Sequence, residues 1–476
     1  MKRGKKDNLK TMVYIAAFAA VVLLLPQLFR IYSGNPTVMG GEPYYHARLA
    51  DMILEDNYKT NDWLIYGGRQ LDLTPYHFVL AGASYITGTD FALRSVPVLI
   101  GILSALVFYL ILRRFRADRL MSIVSVVILS SSPVFIYTFN STQDSLALLF
   151  TLIGAYFFFG NDRKSIFLSI VFFMMASLFS LFNVLLIVIP LLIYSFARKR
   201  KQKVSMAIFF LLAFVYLVKP TPVFYKLTPI SGDVLTEVIS DIGGMFGIGI
   251  FYFILAIIGI IATWNDKKRY YPFYMILILL GAAFYFAGSY VMVYMNFYLS
   301  IFAALGFIKI KEINWQMKMV KNLTFIIIVC GLLFSMISFS TRIADLPPYS
   351  RTFTSLQWLK ENSKEEFVAS HYLNGYFIEY IAERPVLIDG YSISAEDLSG
   401  RQADLYSLFH ATELNRAEDI MKRYGIRYVM VTSDMKQGIV WERPDEGLLY
   451  LFRNNETFKN VYSSKEIEIW KYIKNA

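Results

Sequence analysis

The sequence predicts a polytopic α-helical membrane protein of about eleven transmembrane helices, carrying a C-terminal extracytoplasmic mixed α/β domain. Three observations predict it. Of 476 residues, 56% are hydrophobic, 17% aromatic and only 17% charged, with a mean hydropathy of +0.46; soluble domains carry about 25% charged residues. The apolar residues fall into runs of roughly the length needed to cross a bilayer. The basic residues cluster between those runs, while the last 135 or so residues have ordinary polarity. This composition excludes a single soluble domain, a disordered chain and a disulfide scaffold. Cys330 is the single cysteine; it lies in an apolar run and reads as a small buried hydrophobe.

Taken in order, Lys2 to Lys10 is basic and is followed by an apolar run from Thr11 to Phe29. Its length, and the lack of a small-residue cleavage site after it, predict a retained first span rather than a removed signal peptide. Ten further runs lie near 91–112, 120–138, 145–160, 166–180, 183–197, 204–218, 246–263, 271–287, 290–308 and 322–340. Several are short for a straight span. The charges argue for counting 166–197 and 271–308 as two helices each. With eleven spans, Lys2–Lys10, Arg113–Arg119, Arg163-Lys164, Arg198–Lys203, Lys267–Arg269 and Lys309–Lys321 all fall on one side, which the positive-inside rule makes cytoplasmic. With Asp162 and Asp266, which directly flank two of them, those segments hold 23 Lys and Arg against 5 Asp and Glu, a net +18, and the rest of the chain is −7. The overall +11 is therefore a topology signal, and a nucleic-acid partner loses its main support.

The expected division is a transmembrane domain, 1–340, with outer loops 31–90 and 219–245, and an extracytoplasmic domain, 341–476. In the latter, 355–362 and 413–424 read as helices, and 367–371, 426–431, 450–454 and 466–472 as strands. The protein is expected in the plasma membrane, with its N-terminus in the cytoplasm.

Acidic residues close to a membrane face need water, a cation or a partner, and the outer side offers four places of interest. Gly40-Gly41-Glu42-Pro43-Tyr44-Tyr45-His46-Ala47-Arg48 puts Glu42 at the start of a helix, where it either complements the helix dipole or serves as a base or metal ligand. In Asn140-Ser141-Thr142-Gln143-Asp144, Asp144 either caps the next helix or helps build a metal or phosphate site. Gly232-Asp233-Val234-Leu235-Thr236-Glu237 is a plain solvated loop or a mobile one that closes over substrate. Ser370-His371-Tyr372-Leu373-Asn374-Gly375 is a strand–turn–helix junction or a peptide- or sugar-binding surface. Asn140-Ser141-Thr142 and Asn455-Glu456-Thr457 are formal glycosylation triplets. Zinc-protease, serine-hydrolase, P-loop and dinucleotide fingerprints do not occur. The acids gather at one face rather than at mid-membrane, which disfavours a transporter.

Together these places resemble the catalytic subunits of oligosaccharyltransferases, within the GT-C class of polyprenyl-phosphate-sugar-dependent glycosyltransferases. Glu42-Pro43-Tyr44-Tyr45-His46-Ala47-Arg48 is similar to the family's Asp-Pro-Tyr-Tyr-His-x-Arg stretch, Asp144 falls at its second acidic motif, and Val234-Leu235-Thr236-Glu237 resembles its Thr-x-x-Glu mobile-loop motif, with Glu237 matching the Glu. Tyr66-Gly67-Gly68-Arg69 and Pro75-Tyr76-His77 also resemble it. Departures are visible: the first acid is Glu, the second motif has one acid, only Gly375 agrees with the sequon-reading motif, and Tyr290 to Tyr298 holds no Arg or Lys.

The resemblance implies transfer of a sugar or oligosaccharide from a polyprenyl (dolichyl-type) phosphate or diphosphate donor to a protein, lipid or glycan acceptor at the outer face, with inversion at the sugar carbon. It implies Glu42, Asp144 and Glu237 as catalytic acids, with Glu42 and Asp144 holding a divalent Mg or Mn ion. Arg48, Arg69, Arg94 and Lys219 are the candidate donor-phosphate cations. Tyr44, Tyr45, His46, His371, Asn374 and Gly375 are the candidate acceptor-binding residues. The alternatives are a non-catalytic relative that binds a lipid-linked sugar or a partner subunit, and a lipid or polymer transporter.

Overall fold

The computed structural model describes residues 2–57, 61–71, 73–141, 144–179, 181–218, 234–245, 247–391 and 397–473. They form two compact units. One comprises Met1–Tyr32 and Arg94–Asp345, the other Ser33–Leu93 and Leu346–Ala476.

The first unit is helical. Its apolar runs lie largely in helices, among them Lys2–Tyr32, Arg119–Ser130, Asp144–Phe158, Arg163–Ser177, Leu181–Ala197, Gln202–Val218, Ile250–Thr263, Lys267–Ala287, Met292–Glu312 and Lys318–Ala344. Among the described residues, five helices are long and apolar enough to cross a membrane, or six if the pair Arg119–Ser130 and Pro133–Asn140, bent by 64°, is one broken span. Pro133 explains the bend, since proline cannot continue the hydrogen-bond ladder behind it. Helices at Asp144–Phe158, Leu181–Ala197 and Gln202–Leu217 are apolar but shorter. Close packing rests on small residues: a methyl on Gly259 would lie 1.8 Å from the Phe302 carbonyl oxygen, and one on Gly306 2.1 Å from that of Leu255, so these two helices meet backbone to backbone. Cys330 differs from expectation. It is exposed, on the Lys318–Ala344 helix, whose apolar surface suits a lipid-facing span.

The second unit is mixed α/β. Its four-stranded sheet runs Phe367–Ala369, Ile426–Thr432, Ile467–Tyr472, Phe458–Ser463, with the first pair parallel and the others antiparallel. The Leu414–Tyr424 helix buries Ala417, Ile420, Met421 and Tyr424, the i, i+3, i+4, i+7 stripe of an amphipathic helix. Gly425, at φ +65°, ends it and turns the chain directly into the central strand. Trp441 is fully buried in this core, its indole N–H donating to the Phe409 carbonyl at 2.8 Å. The expected strand at 450–454 is instead the end of a short helix, Leu448–Leu451, followed by a turn. Its aromatic alternation reflects Phe452 stacking on Trp470 (4.4 Å between ring centroids) rather than strand pairing, and the strand lies later, at Phe458–Ser463.

The sequence reading kept loop 31–90 with the transmembrane part, whereas Ser33–Leu93 groups with the C-terminal residues. The reason is electrostatic and backbone pairing: Arg48 and Arg69 meet Glu379 and Asp389, and Ile65 bridges Val386.

Candidate active site

Glu42 opens the Glu42–Leu54 helix, with Pro43 in the first turn. An acid there is favoured by the helix dipole, and Pro tolerates a position whose N–H has no helical partner. Its side chain is 27% exposed. One turn on, His46 lies on the same helix face and is buried.

A directional set of hydrogen bonds ends at Glu42. The Thr74 backbone N–H, which can only donate, points at His77 Nδ1 at 2.9 Å. His77 is therefore the Nε2–H tautomer, and donates to His46 Nδ1 at 2.9 Å. That leaves His46 with Nε2–H, directed at Glu42 Oε1 at 3.4 Å. Burial first, and His46 beside it second, pull His77 down to about 2, so it stays neutral. From the other side, the Tyr391 hydroxyl donates to Glu42 Oε1 at 2.8 Å. Among the described residues both donors address Oε1, which leaves Oε2 for another partner.

Tyr391 is itself fixed. Its ring stacks on Tyr45 at 4.3 Å and 14°, and its backbone N–H donates to Asp389 Oδ1 at 3.0 Å. Asp389 receives both Nη1 contacts of Arg69, at 2.6 and 2.7 Å, and the Arg69 guanidinium lies 4.9 Å from the Tyr45 ring centre. Arg69 Nε also donates to Asp62 at 3.0 Å and Nη2 to Glu379 at 3.1 Å. Arg48 donates to Asp62 and, at 2.7 Å, to Glu379. All five side chains are buried. Two guanidiniums face three carboxyls, so one acid is surplus. Burial, then Asp389, drive Glu379 well above the carboxylate range against the pull of both arginines. Asp62 goes the other way: burial opposes ionisation, but Arg48 and Arg69 outweigh it and hold its pKa low.

Tyr376 packs closely on the backbone beside Glu42 and Tyr391. A methyl on Gly41 would come within 2.4 Å of its ring, and one on Gly390 within 2.0 Å of its hydroxyl. These two glycines directly precede the segments that bear Glu42 and Tyr391.

The remaining expected residues fall as follows. Tyr44 is core, its hydroxyl donating to the Val38 carbonyl at 3.0 Å and its ring packed against Phe353, Phe377 and Tyr380. His371 precedes the Tyr372–Phe377 helix, and burial lowers its pKa. Asn374 donates to Ser370 Oγ at 3.0 Å. Gly375 is required by packing, since a methyl there would lie 2.6 Å from Asp389 Cβ. In the helical unit, Asp144 is buried at the start of its helix and accepts from Asn183 Nδ2 at 2.9 Å. Arg94 is partly buried. Glu237 lies in the short Val234–Val238 helix. The segment after it is pinned: Arg342 donates to the carbonyls of Ser240 and Gly244 at 3.2 and 2.9 Å, and Asp241 accepts from the Ile250 N–H at 2.7 Å. Lys219 lies outside the described residues. Among the described residues no three His, Cys, Asp or Glu side chains are grouped to hold a metal ion.

Sequence reasoning passed over Asp62, His77, Glu379 and Tyr391 as site residues. The signals were present but weak: His77 in Thr74-Pro75-Tyr76-His77 is a helix start with a polar third residue, and Asp389-Gly390-Tyr391 ends an apolar run.

A family model described as dolichyl-phosphate-mannose-protein mannosyltransferase matches residues 75–226. No curated protein sequence matches the chain. Solved structures do. The Archaeoglobus fulgidus oligosaccharyltransferase, tethered to an acceptor peptide containing an NVT sequon, aligns with a TM-score of 0.64 at 12% identity, over 97% of this chain and 74% of that one. ArnT from Cupriavidus metallidurans, bound to undecaprenyl phosphate, aligns with a TM-score of 0.53 at 12% identity, over 96% and 97%. The mycobacterial arabinofuranosyltransferase AftD aligns with a TM-score of 0.59 at 16% identity, over 97% of this chain but 40% of its own length. A further structure of the Archaeoglobus enzyme contains Zn and sulfate. The chain resembles GT-C membrane glycosyltransferases, and its fold is theirs.

Proposed function

We propose that this chain, an integral membrane protein of GT-C fold, is a glycosyltransferase. It would move a sugar or oligosaccharide from a polyprenyl-phosphate or diphosphate donor to a protein, lipid or glycan acceptor at the extracytoplasmic face. The observation that carries the reading is Glu42: a partly exposed carboxylate at a helix start, oriented by His46 and Tyr391, with Oε2 left for a substrate. Eleven spans, a cytoplasmic N-terminus and a plasma-membrane location complete the proposal, and rest on the partition of basic clusters.

In this reading Glu42 Oε2 accepts the proton of the acceptor nucleophile as it attacks the anomeric carbon. The bond from that carbon to the lipid phosphate breaks, and the phosphate leaves with the electron pair. His46 N–H and Tyr391 O–H keep Oε1 occupied, so the carboxylate meets the acceptor in one orientation. Arg69 acts from behind, through Asp389 and Tyr45, and Arg48 is taken up by Asp62 and Glu379, so neither is assigned to the phosphate. Arg94 and Lys219 remain the proposed phosphate cations, Asp144 and Glu237 the further acids, and His371 and Asn374 the acceptor contacts. A divalent Mg or Mn ion held by Glu42 and Asp144 would offset charge on the leaving phosphate, and chelation tests for it.

The test is sugar transfer by the full chain in vesicles loaded with a polyprenyl-linked donor. Glu42→Gln is expected to reduce turnover by about 10²–10⁴-fold, the range for removing a general base. Retained transfer in Glu42→Gln combined with Asp144→Asn sinks the catalytic assignment. Donor binding without turnover in the wild type selects the non-catalytic reading, which the lack of Arg and Lys over 290–298 favours.

A further inference from the structure

The helical unit contains a cavity of about 540 Å³ whose lining is mostly apolar and aromatic. That volume lies within the 300–1,000 Å³ of ordinary ligand sites. One end is built from helix ends on the basic face. There Phe115, Phe159 and Tyr194 form an aromatic cluster, with ring centroids 4.3–5.6 Å apart, and Phe273 extends it at 6.5 Å from both Phe115 and Tyr194. The other end is walled by mid-helix residues such as Leu152, Ile187 and Ile276.

Three arginines line the same cavity: Arg198 and Arg200, just beyond the Leu181–Ala197 helix, and Arg269 in the first turn of the Lys267–Ala287 helix. All three are exposed. The Arg198 guanidinium donates to the Arg269 carbonyl, and that of Arg269 lies 5.8 Å from the Tyr270 ring centre. None of them pairs with a carboxylate among the described residues. Asp118 and Asp162 are engaged as helix caps, on the Leu120 N–H at 2.9 Å and the Ser165 N–H at 3.0 Å, and Asp266, three residues before Arg269, makes no side-chain cap bond and no ion pair with it among the described residues. Topology alone accounts for basic residues at this face. It does not account for three unneutralised guanidiniums at the rim of an apolar hole between helices.

We propose that this cavity is a binding site for an anionic glycerophospholipid of the leaflet on the basic face. Its acyl chain would lie among the aromatic and aliphatic walls, and its phosphate would meet Arg198, Arg200 and Arg269. Arginine forks suit phosphate oxygens, and basic pockets between membrane helices select anionic headgroups. The site sits at the basic ends of the helices and does not depend on the transferase reading.

The experiment uses the full chain in nanodiscs doped with phosphatidylglycerol carrying a photoactivatable acyl chain, against the same probe in phosphatidylcholine. The expected result is stronger labelling by phosphatidylglycerol, in peptides containing Met121, Phe159 or Tyr194. Labelling should fall about fivefold for each arginine changed to glutamine at 198, 200 and 269. Equal labelling by the two lipids, or labelling elsewhere in the chain, overturns the proposal in the wild type alone. So does unchanged labelling of the triple variant, or displacement of the probe by an equimolar polyprenyl phosphate, which would make the occupant a carrier lipid.

Discussion

Replacing Glu379 by Gln and Arg69 by Met separates two accounts of the buried charge network. Arg69 is 1% exposed and contacts Asp62, Glu379 and Asp389. Methionine in its place removes the bidentate partner of Asp389 and leaves a buried, uncompensated carboxylate. Breaking such a pair costs about 3–5 kcal/mol. Glu379 differs. It is the surplus acid, held neutral, and its Oε1 is buried without a hydrogen-bond partner among the described residues. Glutamine keeps an oxygen for Arg48 and Arg69, so below pH 4.5, where Glu379 is protonated in both states, Glu379→Gln is expected to change stability by less than about 1 kcal/mol. For a unit of this size 1 kcal/mol moves Tm by about 2–4 °C. The first variant should therefore fall by roughly 6–20 °C and the second by less than about 4 °C. Thermal unfolding of the purified chain, followed by tryptophan fluorescence, reads mainly this unit, because Trp63, Trp358, Trp441 and Trp470 belong to it. The pH dependence has a definite sign. Glu379 has a folded-state pKa above its unfolded value of 4.5, so its favourable contribution is complete below 4.5 and is lost as pH rises toward the folded value. Glu379→Gln should thus gain on the wild type as pH rises above 4.5. An equal loss in both variants, or no pH-dependent gap, refutes the neutral-acid account.

Three further outcomes are expected. Tyr391→Phe and His77→Ala each remove one support of Glu42 without removing the acid; kcat should drop about tenfold with KM little changed, and His77→Asn should restore more activity than His77→Ala. Chelation with EDTA followed by added Mg or Mn distinguishes a cation-dependent reaction from one run by the chain's own groups: full activity in the chelated enzyme excludes the cation. A tag at Ala476 should be labelled only from outside intact cells, and labelling only after permeabilisation would overturn the eleven-span orientation.

Composition made the membrane character and the mixed α/β tail legible, because both depend on runs and periods that one dimension preserves. The helix at Glu42 was also legible: Gly-Gly, then an acid, then Pro marks a helix start. The pairing of Arg48 and Arg69 was not. Their charges read equally as phosphate ligands or as ion-pair partners, and the deciding acids, Glu379 and Asp389, lie more than 300 residues away in sequence. Tyr391 was missed for the same reason, since its contact with Glu42 spans 349 positions. The 450–454 stretch misled in the opposite direction: it read as a strand, whereas its Phe452 only packs against one.

The long separation of these partners also sets a constraint during synthesis. Arg69 emerges from the ribosome 320 residues before Asp389, an interval of about 16–64 s at 5–20 residues per second. During it, the segment holding Glu42, His46 and His77 has been made while two of the three acids that meet its arginines, Glu379 and Asp389, have not. That half of the unit must wait unfolded, or be sheltered, until translation is nearly finished. Truncation of the chain anywhere before Asp389 therefore strands the Glu42 segment, however complete the membrane helices already are.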